Sequence, residues 1–283
     1  MAVVLLFPAP QGMSPDARRM AALFAIALIL WTTEPVPVAV TSLLVLILQP
    51  ILRINTLGTA FANFISPVFF FVVSMFVVAF AWLKTGLAKR FALWMIAKAG
   101  TDTKRVLCVF IVGTGLISTI ISDVPCAAIF MALALGIFQR LGLKPLQSQF
   151  ARAVMIGIPI GSYIGGVGTP AGSAINLLGI SLIEQGGGAR IPFLTWMIIG
   201  MPMVIIMLPV ACYVLIKYYP PEIETIGDLD DIQRERRQLG PMTGQERKVL
   251  VLMGVMLVFW ILGTWIPAFD TTLIGLAGAC AMF

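Results

Sequence analysis

Residues 192–216 form an apolar run without a single charge, and 67–83 form a second run only slightly shorter. About 20 predominantly apolar residues suffice for a helix to cross a lipid bilayer. At that depth every backbone N–H and C=O has to find its partner inside the protein, which restricts what such runs can fold into. The chain is therefore expected to be an all-α polytopic membrane protein. Composition agrees: 11% of the 283 residues are charged, where a soluble domain carries roughly a quarter. The formal net charge of +6 does not imply nucleic acid, because the basic residues sit between apolar segments, where they set orientation across the membrane.

Several function classes fall away at once. The chain has no histidine, no H-E-x-x-H and no G-x-x-x-x-G-K, so neither an enzyme nor an ATP-driven pump is expected. Cys108, Cys126, Cys212 and Cys280 lie in apolar stretches without metal-ligand spacing and read as small buried hydrophobes. Residues 2–7 are apolar but too short to span and lack a basic leader. They read as the tail of a helix that begins earlier.

Helices are expected over 20–33 and 38–52, separated by Glu34-Pro35-Val36-Pro37, since proline removes a donor and restricts the residue before it. A span follows over 66–83. Residues 86–99 alternate Lys89, Arg90 and Lys98 with Phe91, Trp94 and Ile96, which suits a helix lying in the membrane interface. The stretch 106–140 is apolar on both sides of Ser122-Asp123-Val124-Pro125. One continuous helix of that length would measure about 50 Å, too long for the hydrocarbon core. A re-entrant hairpin with its tip at Ser122–Pro125 is the preferred reading. With it, fifteen of the 19 lysines and arginines fall on one face, leaving Arg18, Arg19, Arg53 and Arg190 on the other. A single crossing would place most of them outside, against the positive-inside rule. Two full crossings have the same parity and are disfavoured by length alone.

Residues 218–245 mix both charge signs (Glu222, Asp228, Asp230, Arg234, Arg237) and read as a cytoplasmic linker with one short helix. New spans are expected over 249–264 and from Thr272. The Met13–Arg19 segment and the Met242–Lys248 segment resemble one another at an offset of 229, and Leu23, Leu28 and Trp31 match Leu252, Leu257 and Trp260 at the same offset. An odd number of crossings separates the copies, so they insert in opposite orientations, as in the inverted repeats of secondary transporters. The same offset carries Ser122 past Phe283, so the chain is expected to be a fragment of a protein of roughly 450 residues or more.

Two breaks at membrane depth concentrate the chemistry: 118–125 and 165–172. Interrupted helices free backbone groups, which is tolerated where they line a cavity or bind something. Helix N-termini offer N–H donors to anions, and hydroxyls with carbonyls suit a hard cation. The alternatives are close helix packing for the glycines and back-bonding for Ser118 and Thr119. Asp123, a carboxylate inside a membrane segment, reads as functional. Glu34 reads as a cap, a salt bridge or an ion ligand, and Glu184 and Asp270 as solvated segment ends.

Leu30-Trp31-Thr32-Thr33-Glu34-Pro35-Val36-Pro37-Val38-Ala39-Val40-Thr41, the Ser122 tip and Gly168-Thr169-Pro170, in this order, resemble the divalent anion/sodium symporter family over nearly the whole chain. The resemblance implies an inverted-repeat secondary transporter of the plasma (inner) membrane. It would move di- or tricarboxylates or sulfate with Na⁺ by elevator motion, as a homodimer. It also implies a Na⁺ site lined by Ser118, Ser122, Asp123 and Gly168, and a substrate side at Asp123, Val124 and Thr169. The family's tip reads Ser-Asn-Thr, whereas Ser122-Asp123-Val124 stands here; the added charge helps a cation and repels a dianion. Under this reading 1–104 hold scaffold helices and the interfacial helix, and 105–219 the first half of a transport domain. Residues 220–246 are the linker and 247–283 open the second repeat. A proton-coupled or exchanging anion carrier, and a membrane subunit that does not transport, are the alternatives.

Overall fold

The apolar runs among the described residues become helix. A computed structural model describes residues 13–143, 147–227 and 230–283; the expectations for 2–7, Lys144 and Asp228 fall outside them. Among the described residues there are thirteen helices and no strand, in two compact units that divide between Phe69 and Phe70.

The first unit holds α1 (Pro15–Thr33), α2 (Val38–Ile51) and α3 (Leu57–Phe64). α1 begins earlier than its apolar residues indicate, because extended Ser14 accepts the Ala17 N–H at 3.2 Å and Pro15 takes the first helical position. It stops at Glu34, whose φ of 45° is left-handed and whose N–H closes on the Leu30 carbonyl. Exposed Glu34 is thus the cap among its three readings. α3, started by the Thr56 hydroxyl accepting from Thr59 N–H, had no counterpart in the sequence reading.

The second unit carries α4 (Pro67–Thr85) from Phe70 onward, α5 (Leu87–Ala99), α6 (Thr103–Ser118), α7 (Asp123–Arg140), α8 (Gln149–Gly166), α9 (Ala174–Gln185), α10 (Phe193–Tyr218), α11 (Asp230–Gln238), α12 (Gly244–Leu262) and α13 (Thr271–Ala281). α6 and α7 form the expected antiparallel hairpin. The Cys126 thiol reaches the Thr114 carbonyl at 3.3 Å, and one turn further from the tip Phe110 and Phe130 meet edge to face at 6.3 Å.

α8 runs parallel to α6 at a constant register: Gly161 lies on the Ile111 backbone, Gly165 on the Gly115 backbone, and Thr169 bonds the Thr119 carbonyl. Glycine is required at 161 and 165, because a Cβ at either would fall inside the opposing carbonyl oxygen. Without a hydrophobic drive between helices in lipid, such close approach is what holds them together. α10 packs antiparallel to both, with Gly200 against the Val167 carbonyl, Leu208 against Gly115 and Leu215 against Gly157.

This register fixes the level of each element along the bundle. The hairpin arms have 16 and 18 residues, roughly 24 and 27 Å at 1.5 Å per residue, and the hydrocarbon core is about 30 Å thick. The 26 residues of α10 measure roughly 39 Å. The break after α8 is level with Gly200, roughly 11 Å inside the start of α10. The hairpin tip bonded to that break shares its depth, and both arms end beside the N-terminus of α8 and the C-terminus of α10. Lys104, Arg105, Arg140, Arg152 and Lys217 all belong to this end.

The base is tied down from the linker. Thr103 donates its hydroxyl to the Ile223 carbonyl at 2.6 Å and its N–H to the Glu224 carbonyl at 3.1 Å, while Ile226 N–H reaches Thr101 at 2.9 Å. Glu222 accepts the Phe150 N–H at 2.8 Å, a carboxylate at the positive end of α8. Farther on, Arg90 of α5 grips Glu246 through Nε at 2.8 Å and donates to the Gly240 carbonyl at 2.8 Å and the Leu239 carbonyl at 3.0 Å. α12 has the same length as α1, 19 residues, and both its ends lie 229 residues beyond those of α1. Its cap Thr243 matches Ser14 at that offset. Trp260, near its end, stacks on Phe193 with centroids 5.1 Å apart.

Candidate functional site

The two breaks supply hydrogen-bond partners to one another. At the hairpin tip Asp123 is the first residue of α7 and only 8% exposed. Its N–H donates to the Gly172 carbonyl at 3.1 Å, and its own carbonyl accepts the Ser162 hydroxyl at 2.6 Å. One carboxylate oxygen accepts Val124 N–H at 2.9 Å and the Ser122 hydroxyl at 3.2 Å; the other accepts the Ser173 hydroxyl at 3.1 Å. Three donors and the positive end of α7 meet this one carboxylate, which is the only acidic side chain between 103 and 183.

Ser118 is fully buried and donates to the Ser162 carbonyl at 2.7 Å, across to α8. Its neighbour Thr119 bonds back to Leu116 in its own helix at 2.7 Å. The two hydroxyls, adjacent in sequence, thus divide between tertiary and local partners. In the second break the Thr169 hydroxyl donates to the Thr119 carbonyl and accepts the N–H groups of Ala171 and Gly172 at 3.2 and 3.1 Å. Asn176, in the first turn of α9, donates both amide hydrogens, to Gly166 at 2.7 Å and to Thr169 at 2.8 Å. Trp196 of α10 donates its indole N–H to the Val167 carbonyl at 2.8 Å.

Ser118, Ser122 and Asp123 are thereby brought into one polar layer with the loop 167–173. Asp123 meets that loop at Gly172 and Ser173, rather than at Gly168 and Thr169, where the sequence reading looked for its partners. Gly168 faces the Thr119 methyl and the Met201 sulfur, and Thr169 is 3% exposed with its hydroxyl engaged. Val124 is 64% exposed. Ser162, Ser173, Asn176 and Trp196 were not anticipated. Ser162 hides among the glycines of α8, and Ser173 and Asn176 follow directly on the glycine run, where an N-cap followed by a polar first turn was the available signal.

The donor set decides what could bind. The polar side chains and loop of the layer offer oxygen: one carboxylate, the hydroxyls of Ser118, Ser122, Ser162 and Ser173, and loop carbonyls. No group of three His, Cys, Asp or Glu that could hold a multivalent metal exists among the described residues. One negative charge with neutral oxygens suits a hard monovalent cation. The N-terminus of α7 is less suited to a free anion: the Asp123 N–H is taken by Gly172, the Val124 N–H by Asp123, Pro125 has none, and Cys126 N–H closes on Ser122.

A family model described as the sodium:sulfate symporter transmembrane region matches residues 1–283. A curated "membrane protein" of Cupriavidus necator is 29% identical over 293 aligned residues, covering 98% of this chain and 57% of its own. Two proteins named sodium-dependent dicarboxylate transporter SdcS are also similar. That of Staphylococcus saprophyticus is 30% identical over 262 residues, covering 87% of this chain and 50% of its own. That of a bovine Staphylococcus aureus strain is 27% identical over 276 residues, with 92% and 52% covered. The chain spans about half the length of the curated relatives it matches.

Proposed function

The chain belongs to the family of sodium:sulfate symporter transmembrane regions, and from that premise we propose that it forms one half of a Na⁺-coupled carrier of small divalent anions, of the dicarboxylate or sulfate class. The observation that carries the reading is the interlock of two broken helices around buried Asp123. Na⁺ is held by the Asp123 carboxylate with the hydroxyls of Ser118 and Ser122 and the carbonyl of Gly168. Of the residues on the substrate side, Val124 is open to a ligand. Asp123 and Thr169 shape the site by holding the tip and the loop together. A small dianion is bound next to a carboxylate only once a cation offsets that charge, which makes cation and anion uptake interdependent.

The block of α6, α7, α8 and α10 moves as one body in an elevator-type cycle, because glycine contacts leave its helices no room to slide. The 229-residue correspondence of α1 and α12 supports a second repeat that starts at α12 in inverted orientation. The working unit is a homodimer, as the family resemblance implies. A second reading, proton coupling, has its own support in Asp123 being the single carboxyl of the whole hairpin and broken helix.

Uptake of labelled succinate and of labelled sulfate by the complete gene product in liposomes tests these readings. Stimulation by an inward Na⁺ gradient at constant pH is expected. Stimulation by a proton gradient alone would replace Na⁺ by H⁺. No uptake of either anion under any gradient would overturn the assignment as a carrier.

A further inference from the structure

A groove of about 360 Å³ runs between α5 and the outer face of α7. Its floor is apolar and buried: Leu93 and Ile96 of α5 and Ile129 of α7. Its rim is exposed and carries Lys89 and Arg140. Arg140 closes α7 at the end that gathers the basic residues, and Ile129 lies eleven residues nearer the tip, roughly 16 Å along the helix. The groove therefore has cations at its base and an apolar trough extending from them into the depth of the membrane. Midway, Gly136 leaves open space, with nothing within 4 Å of where a Cβ would stand. Water has few partners on such a floor, and among the described residues no side chain comes within 4 Å of that point. Beside it α5 shows an interfacial surface, with Lys98 Nζ 4.2 Å above the Trp94 ring and Phe91 packed on the same indole at 5.7 Å.

We infer that this groove is a binding site for one anionic phospholipid of the leaflet on the basic side, with its phosphate at Lys89 and Arg140 and an acyl chain laid over Gly136 towards Ile129. Charge selects the ligand: two cations converge on the mouth of an apolar trough, and a zwitterionic headgroup would bring a repelling amine to them. Lys89 and Arg140 each have a further partner in the protein, so the phosphate shares them. A bound lipid would bridge the interfacial helix and the hairpin arm, and would couple the carrier to the composition of its membrane.

The test is lipid retention by the purified gene product in mild detergent, counted by native mass spectrometry. Dioleoyl phosphatidylglycerol, dioleoyl phosphatidylcholine and glycerol 3-phosphate serve as probes. Wild type is expected to retain one phosphatidylglycerol in preference to phosphatidylcholine by about five-fold or more, since each basic residue near an anionic leaflet favours it several-fold. Lys89→Gln with Arg140→Gln should bring that ratio near one. Gly136→Leu should reduce retention of both lipids with helix content unchanged, because the added side chain enters open space and leucine favours helix over glycine. Glycerol 3-phosphate, which has the headgroup chemistry without the chains, should not displace the lipid. Equal retention of the two lipids by wild type, undiminished retention in Gly136→Leu, or displacement by glycerol 3-phosphate would each overturn the proposal.

Discussion

Replacing Asp123 separates what its charge does from what its hydrogen bonds do. Asp123→Ala removes the acceptor of Val124 N–H (2.9 Å), Ser173 hydroxyl (3.1 Å) and Ser122 hydroxyl (3.2 Å). Ser122 is half-buried and can turn towards water, but Ser173 is 8% exposed and the amide is fixed by its helix. Orphaning a buried donor costs about 1–3 kcal/mol, which falls on Ser173, since the Val124 amide belongs to a 64%-exposed residue. In Asp123→Asn the amide oxygen still accepts from Val124, and the amide nitrogen donates to Ser173, whose hydroxyl changes from donor to acceptor. What is lost is the charge at the first turn of α7, about 0.3–1 kcal/mol, with some of the strength that charge lends hydrogen bonds. Thermal unfolding of the complete gene product in detergent should therefore rank wild type slightly above Asn and well above Ala. Sodium adds a second axis. A ligand present at ten times its dissociation constant stabilises the folded state by about 1.4 kcal/mol. NaCl, against choline chloride, should raise the midpoint for wild type and much less for either variant. Equal losses for Asn and Ala would refute the hydrogen-bond argument, and an equal response to Na⁺ in all three would remove Asp123 from the cation site.

Other expectations test the scaffold. Gly165→Ala puts a methyl into the Gly115 backbone and should cost about 1–3 kcal/mol as overpacking, with uptake falling further because Thr119 and Thr169 lie one turn away; unchanged uptake would detach the site from this helix contact. Arg90→Ala leaves the 2%-exposed Glu246 without its cation and should destabilise by about 3 kcal/mol or more, read from the thermal midpoint, with Arg90→Lys between it and wild type. Glu222 is pushed up by partial burial, but hydrogen bonds from the Ser148 hydroxyl and nearby backbone N–H groups outweigh this and hold it below the usual carboxylate range. Its folded pKa being depressed, its contribution is present above the unfolded carboxylate pKa and is lost as pH falls through the folded one. Glu222→Gln should therefore flatten the acid limb of a stability–pH curve, and an unaltered limb counts against the link to α8. Cysteines placed at Lys104 and Gln147 in a background free of the native four should be labelled from the same face, and cysteines at Arg19 and Lys248 from opposite faces. The first pair on opposite faces would sink the hairpin topology, and the second pair on one face the inverted repeat.

The comparison of α1 with its own sequence shows where local reading stops. Its apolar residues located the helix, yet its first turn, Asp16 to Arg19, was missed because charged residues there look like loop until Ser14 is seen to cap them. α3 escaped because eight residues between two breaks are too few for periodicity to register. Local chemistry alone determined the membrane class, the proline-bearing breaks and the hairpin with its ends together, since bilayer-length apolar runs admit few outcomes, and it singled out Asp123 as the lone carboxylate within them. The partners of that carboxylate were decided elsewhere. Gly161 and Gly165 bring α8 onto the α6 backbone in parallel, and this register sets Thr169 on Thr119 and Ser162 on Ser118. It thereby leaves Gly172 and Ser173 for Asp123. A register between helices depends on which two surfaces can approach most closely in three dimensions, and that information is spread over both helices rather than held in either.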